Sequence, residues 1–168
     1  MKRAGLAILS IGFESFSEPI LEFLGKGTTV HDNEAAARLC HDLGIAVYAN
    51  IMLGVPGPDG RWRIEDDLAS VEALERIRPR WVSPSVFSPI PGSALWDWCR
   101  ERDLVEDADP ERVGTRSVGP QPVRTVDMEK LAPLIARVHA LGRHPVIDRL
   151  QRLRFRLAGP SPGAGASR

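Results

Sequence analysis

Apolar positions along the chain follow two alternating rhythms. Leu6–Phe13 (L-A-I-L-S-I-G-F) is a near-continuous apolar run, too short for an isolated helix, and predicts a buried parallel strand. Ser17-Glu18-Pro19 then opens a short helix, with Ser17 as its cap and Pro19 in the first turn, and Gly25-Lys26-Gly27 ends it. Ala35, Leu39 and Leu43 recur four apart, which predicts a helix over His31–Leu43 with Gly44 as its C-terminal cap. Ile45–Leu53 reads as a second strand and Gly54–Gly60 as a turn-rich loop. Ile64, Leu68, Val71, Leu74 and Ile77 mark an amphipathic helix that ends before Pro79. Trp81–Phe87 is a third strand, weakened as a prediction by Pro84, and Ala94–Arg102 a further helix.

Three strand–helix repeats predict a parallel sheet with right-handed crossovers. Three parallel strands leave faces and edges to cover, so the pattern leads us to expect further structure upstream, and Gly5 reads as the end of a preceding helix. Val105–Arg124, rich in Pro, Gly and charge, reads as a loop. Val126–Leu141 is a helix with Thr125 as cap and Pro133 as a kink. Val146, Leu150, Leu153 and Leu157 stripe a last helix whose other faces carry arginines, best read as packing its stripe on the domain, and Ala158–Arg168 reads as disordered.

The 168 residues suffice for one domain with a core, and 43% hydrophobic and 26% charged residues are ordinary for a globular protein. Net charge is zero, which gives no global attraction to nucleic acid or an anionic membrane. The basic residues are nineteen Arg and three Lys, a skew better explained by genome composition than by phosphate recognition. Two cysteines without a C-x-x-C spacing exclude a disulfide scaffold and a self-contained cysteine-rich metal site. No apolar run reaches the roughly 20 residues of a membrane span, and no signal peptide is evident, so a cytoplasmic location is expected.

Candidate chemistry collects where strands end and helices begin, the rim at which β/α proteins bind ligands. Glu14 follows a mostly apolar strand, where a carboxylate is costly unless solvated or paired; it can accept from ribose hydroxyls or an ammonium, or simply pair with a helix N-terminus or an Arg. Ser15 alone carries little signal. Gly54-Val55-Pro56-Gly57 allows close backbone approach to a flat ligand, and equally is a common strand-to-helix turn. Asn50, inside the second strand, could face the interior of a barrel or equally satisfy a local backbone group. Phe87-Ser88-Pro89-Ile90-Pro91-Gly92 is an extended segment with exposed backbone groups. Cys40 and Cys99 read as buried structural thiols. His31, His41, His139 and His144 lack metal-site spacing, and Asp66-Asp67 reads as helix-dipole complement rather than a catalytic pair.

Taken together, Ser10-Ile11-Gly12-Phe13-Glu14-Ser15, Lys26-Gly27, Ala36–Cys40 through Ile45, Asn50–Gly57 and Pro89–Leu95 resemble, in order and spacing, the second half of a radical S-adenosylmethionine (SAM) domain. The resemblance spans about Lys2–Glu106 and is in the style of the group that often carries an upstream cobalamin-binding domain. It implies an α/β fold: a partial (β/α) barrel of three parallel β/α units, the second half of a (β/α)6 barrel, with C-terminal helices. The implied organisation is a half-barrel over 1–106, a linker over 107–124, a helical extension over 125–157 and a tail over 158–168.

The implied cofactors are SAM and, in an intact protein, a [4Fe–4S] cluster; whether cobalamin is used is left open by these residues, since its domain in that group lies upstream. By the same resemblance, Glu14 and Ser15 would meet the ribose or amino-acid part of SAM. Met52, Leu53, Gly54, Ser88 and Pro89, with Asn50 beside them, would line the adenine side. The family's C-x-x-x-C-x-x-C cluster motif and its Gly-Gly-Glu segment are not in this sequence, and Pro58 stands where some relatives are acidic. The expectation is a SAM-binding portion of a radical enzyme, inactive by itself and completed by an N-terminal half or a complementary chain, acting on a small molecule or peptide. The other readings are a non-catalytic half-barrel for binding or assembly and, more weakly, a half-barrel for a phosphorylated metabolite, which lacks a glycine-rich phosphate loop.

Overall fold

The computed structural model describes residues 2–105 and 123–141. The expected last helix and tail, and most of the expected linker, lie outside these residues. A 3-10 turn at Lys2–Ala4 and a left-handed Gly5 lead into β1 (Ile8–Glu14). There follow α1 (Glu18–Phe23), α2 (Val30–Asp42), β2 (Ala46–Leu53), α3 (Ile64–Ile77), β3 (Trp81–Val86), α4 (Ala94–Glu101) and α5 (Met128–Leu141). The three strands are parallel in the order β1-β2-β3, so the strand–helix alternation read from the sequence is present. Among the described residues the sheet is open. Pro84 sits opposite Ile51 in β3, which is an edge strand among these residues and can therefore carry a residue without an N–H.

Alternation along β2 sorts the two faces. Val47, Ala49, Ile51 and Leu53 are buried, whereas Ala46, Asn50 and Met52 are half-buried and Tyr48 is exposed. The buried face meets Ala37 and Cys40 of α2 and Val71, Ala73 and Leu74 of α3 in one core. Leu131, Leu134 and Val138 of α5 belong to the same core, and α5 packs on α3 and β3. Among the described residues no helix covers the other face, which leaves side chains at its alternate positions free to meet a ligand.

Several local expectations shift. Helix α2 is capped by Thr29 in a reciprocal capping box with Asp32 rather than beginning at His31. Its buried positions are Asn33, Ala37 and Cys40, while Leu39 and Leu43, read as its apolar stripe, are 59% and 50% exposed. Ser17 makes no side-chain cap bond to α1; its hydroxyl donates to Asp66 instead. The α5 start is capped by Asp127, whose Oδ1 accepts from the amides of Glu129 and Lys130, and not by Thr125. The helix runs through Pro133.

Candidate functional site at the strand ends

The end of β1 is irregular by construction. Register slips between Gly12 and Glu14, so that Gly12 pairs with Asn50 and Glu14 with Ile51. Such bulges re-aim side chains. Glu14 adopts φ 63°, a left-handed conformation uncommon for a residue with a side chain. Its surroundings hold it there. The Asn33 amide donates to the carbonyls of both Phe13 and Ser15, each at 3.1 Å. The Ser70 hydroxyl accepts from the Phe16 amide at 2.9 Å, and Ser15 Oγ accepts from the Ser17 amide at 3.1 Å. Phe13 is fully buried and stacks at a tilt on Phe16.

The consequence is that the Glu14 carboxylate folds back over Gly12 on the open face. A Cβ at position 12 would stand 2.5 Å from Glu14 Oε1 and 3.5 Å from Lys26 Nζ, so only glycine leaves this space. Lys26 Nζ lies 3.7 Å from the same carboxylate oxygen, with both side chains about a third exposed (33% and 28%). Beside them Asn50 donates from Nδ2 to Ser10 Oγ at 3.0 Å and to the Ile11 carbonyl at 3.2 Å. The sequence left the partner of Glu14 open between an Arg and a helix N-terminus; it is Lys26. Likewise Asn50 lies on the open face and also satisfies a backbone group.

At the end of β2 the residues read from the sequence divide. Met52 is half-buried on the open side, and Leu53 is fully buried on the helix side. Gly54 leaves the sheet at φ 73°, and its amide donates to both carboxylate oxygens of Asp67 at 3.1 Å. Asp67 Oδ2 also accepts from the Trp62 indole at 2.7 Å. Burial pushes the Asp67 carboxyl up to about 6, against the lowering effect of those hydrogen bonds. At the end of β3 Ser88 is exposed and Pro89 buried. Ser15, by contrast, is 2% exposed and engaged with Ser17 and Ser70 on the helix side.

Asn33 and Ser70 escaped the sequence reading, and Asp67, read there as a helix-dipole complement, is instead buried against Gly54 and Trp62. Each is a polar residue buried at the core face of a helix, and one faint signal existed: polar residues at helix positions in phase with buried neighbours, Asn33 with Ala37 and Asp67 with Val71 and Leu74.

The cysteines do not form a metal site. Cys40 and Cys99 are free and buried in α2 and α4, and burial pushes the Cys99 thiol up to about 11. No group of three His, Cys, Asp or Glu could hold a metal among the described residues. No helix of the described residues is long and apolar enough to cross a membrane.

No family model matches the chain. It is 27% identical over 105 residues to an uncharacterized methyltransferase of Pyrococcus horikoshii, covering 62% of this chain and 22% of that protein. It is 31% identical over 78 residues to an uncharacterized protein of Methanocaldococcus jannaschii, covering 46% of this chain and 24% of that protein. The chain thus spans less than a quarter of the length of the curated relatives it matches. In fold it is similar to the radical SAM methyltransferase TsrM of Kitasatospora setae, solved with tryptophan substrate and a SAM analog, with a TM-score of 0.55 at 17% identity, over 83% of this chain and 32% of that one. The same protein solved with cobalamin and a [4Fe–4S] cluster gives a TM-score of 0.54 over the same shares. At this identity the likeness is one of fold.

Proposed function

We propose that this chain supplies the SAM-binding strand ends of a radical SAM methyltransferase-type enzyme. The observation that carries the reading is the bulge that turns the Glu14 carboxylate onto the open sheet face over Gly12, beside Lys26 and Asn50. Backbone strain and a re-aimed charge at a strand end are features that cluster at functional sites. The methyltransferase relative and the fold of TsrM point the same way.

SAM fits the residues present. Glu14 would accept from its ribose hydroxyls or ammonium, Asn50 Oδ1 would accept a further donor, and Met52 would offer apolar surface to the adenine. Gly54, Ser88 and Pro89 would contribute backbone and small surface at the ends of β2 and β3, with Leu53 and Ser15 supporting from behind. Once bound, SAM supplies methyl-transfer or radical chemistry; these residues bind and orient it.

A [4Fe–4S] cluster does not fit this chain's described residues, because its cysteines are buried apart in two helices and no other ligand group converges. In this reading the cluster, and any cobalamin, is carried by polypeptide outside these strands. The partner is then the cluster-bearing half, in the same or a complementary chain, and the substrate a small molecule or peptide. The assembly reading draws support from β1, whose Ile8 and Leu9 are 46% and 38% exposed at an edge suited to a further strand.

Titration of the isotope-labelled chain with SAM, followed by amide NMR, tests the proposal. Shifts should concentrate at Gly12, Glu14, Asn50, Met52, Gly54 and Ser88, and Glu14→Gln should weaken binding about tenfold, the scale of one charge-assisted hydrogen bond. Absence of any shift at millimolar SAM, with the fold intact, overturns it and favours the assembly reading.

A further inference from the structure

We propose that Asp67 is a positioning residue for two strand ends at once, fixing through one peptide unit both the β2 exit at Gly54 and the β3 exit at Phe87. Its neighbours Glu65 and Asp66 are exposed and half-buried, as acidic residues in a first helical turn ordinarily are. Asp67 is only 4% exposed. Among the described residues no Lys or Arg forms an ion pair with it; its partners are the neutral N–H groups of Gly54 and Trp62. A buried charge without a countercharge is costly, and burial indeed raises its carboxyl. Helix capping does not require such a group at this depth.

What the carboxylate does is visible in the peptide it grips. In a trans peptide the N–H and the preceding C=O point in opposite directions. The Gly54 N–H points to Asp67, and the Leu53 carbonyl on the same peptide accepts from the Phe87 amide at 2.8 Å. The chain Asp67–peptide 53/54–Phe87 therefore links α3 to the ends of β2 and β3. From another side, a Cβ on Gly54 would meet Leu131 at 3.2 Å and Val126 at 3.5 Å, so α5 walls off the direction in which the turn could relax. Met52–Gly54 and Ser88-Pro89 are the two segments expected to meet adenine, and Phe87 leads directly into the second. That clause rests on the SAM reading above; the clamp itself does not.

The test uses the full chain with Asp67→Ala and Asp67→Asn, and Trp62→Phe as a milder variant that leaves Asp67 in place. Without ligand, Asp67→Ala should speed hydrogen exchange at the Gly54 and Phe87 amides together by about tenfold or more, with Gly12 and Glu14 unchanged, as local loosening rather than global unfolding predicts. Asp67→Asn, which keeps one acceptor oxygen, should recover part of the protection, and Trp62→Phe nearly all of it. Exchange at Gly54 and Phe87 that does not change, or that changes only in step with every other amide, overturns the clamp.

The second readout is affinity for 5′-methylthioadenosine, which carries the adenine without the amino-acid part. It should fall about tenfold in Asp67→Ala and partly return in Asp67→Asn. If wild type binds and the variant binds equally, the positioning role is wrong. If wild type binds neither this probe nor SAM, the proposed function fails, while the exchange result still decides the clamp. Should Asp67→Ala not fold, Asp67→Asn carries both readouts through its partial loss, with Trp62→Phe as the near-wild-type control.

Discussion

Replacing Gly12 by Ala separates the fold from the site. The new Cβ would stand 2.5 Å from Glu14 Oε1, closer than real contacts allow, and 3.5 Å from Lys26 Nζ. The obstructing atom is the far end of a side chain, so the carboxylate swings away and the backbone stays. What the fold loses is the Lys26–Glu14 pair at 3.7 Å, about a third exposed on both sides, worth about 0–1 kcal/mol. What it gains is the lower chain entropy of Ala over Gly within a strand, about 0.5–1 kcal/mol. These terms nearly cancel, and the melting temperature should move by less than about 3 °C for a chain of this size. Ligand binding has no such compensation. With its carboxylate displaced, the variant should bind SAM about tenfold or more weakly. Urea unfolding and calorimetric SAM titration on the same preparations measure both. Wild-type SAM affinity in a stable Gly12→Ala protein would refute the placement of the ligand over Gly12. A loss of several kcal/mol in stability would refute the claim that only a flexible side chain fills that space.

Asn33→Leu should cost about 1–3 kcal/mol in urea unfolding, because the buried Ser15 carbonyl loses its donor and the Phe13 carbonyl keeps only the Ser15 amide at 2.8 Å; a neutral result would show that the β1 bulge holds itself. Asp67 titrates at about 6 when folded against an ordinary 3.8, so the folded state binds the extra proton between these values. Its contribution to stability is therefore most favourable below about pH 4, falls as pH rises through about 6 and then levels, and Asp67→Asn should flatten that segment of the stability–pH curve. The opposite slope would contradict the sign of the shift. Cys99, fully buried and with its thiol raised to about 11, should resist thiol reagents at pH 7.5 in the native chain and react only on unfolding, by colorimetric thiol titration.

How far the site could be read from sequence follows from what each pattern encodes. Strand ends were legible because an apolar run that stops at a charge or a Pro-Gly turn marks where the chain leaves a sheet, as at Glu14 and Gly54. The direction in which those ends face was not. Glu14 reaches the open face only because Phe13 takes an extra position opposite β2, and no local spacing announces a bulge. Lys26 meets Glu14 only because α1 brings the chain back to the end of β1. The partners of Gly54 lie on α3 and α5, thirteen and more residues away.

By itself, then, the sequence determined the alternation of strands and helices, the parallel sense of the strands, and the burial of both cysteines, since hydrophobic period and turn residues act over a few residues. Tertiary structure alone decided phase and pairing. Helical spacing predicted α2 but put its apolar stripe on Leu39 and Leu43, whereas Asn33, Ala37 and Cys40 face inward. The physical reason is that an inward Asn33 gives the buried Ser15 carbonyl a donor and the Phe13 carbonyl a second one, and in that phase Leu39 and Leu43 fall on the outer side. The same reason put Asp67 in the core, where the amide of Gly54, having left the sheet, required an acceptor that only a neighbouring helix could bring.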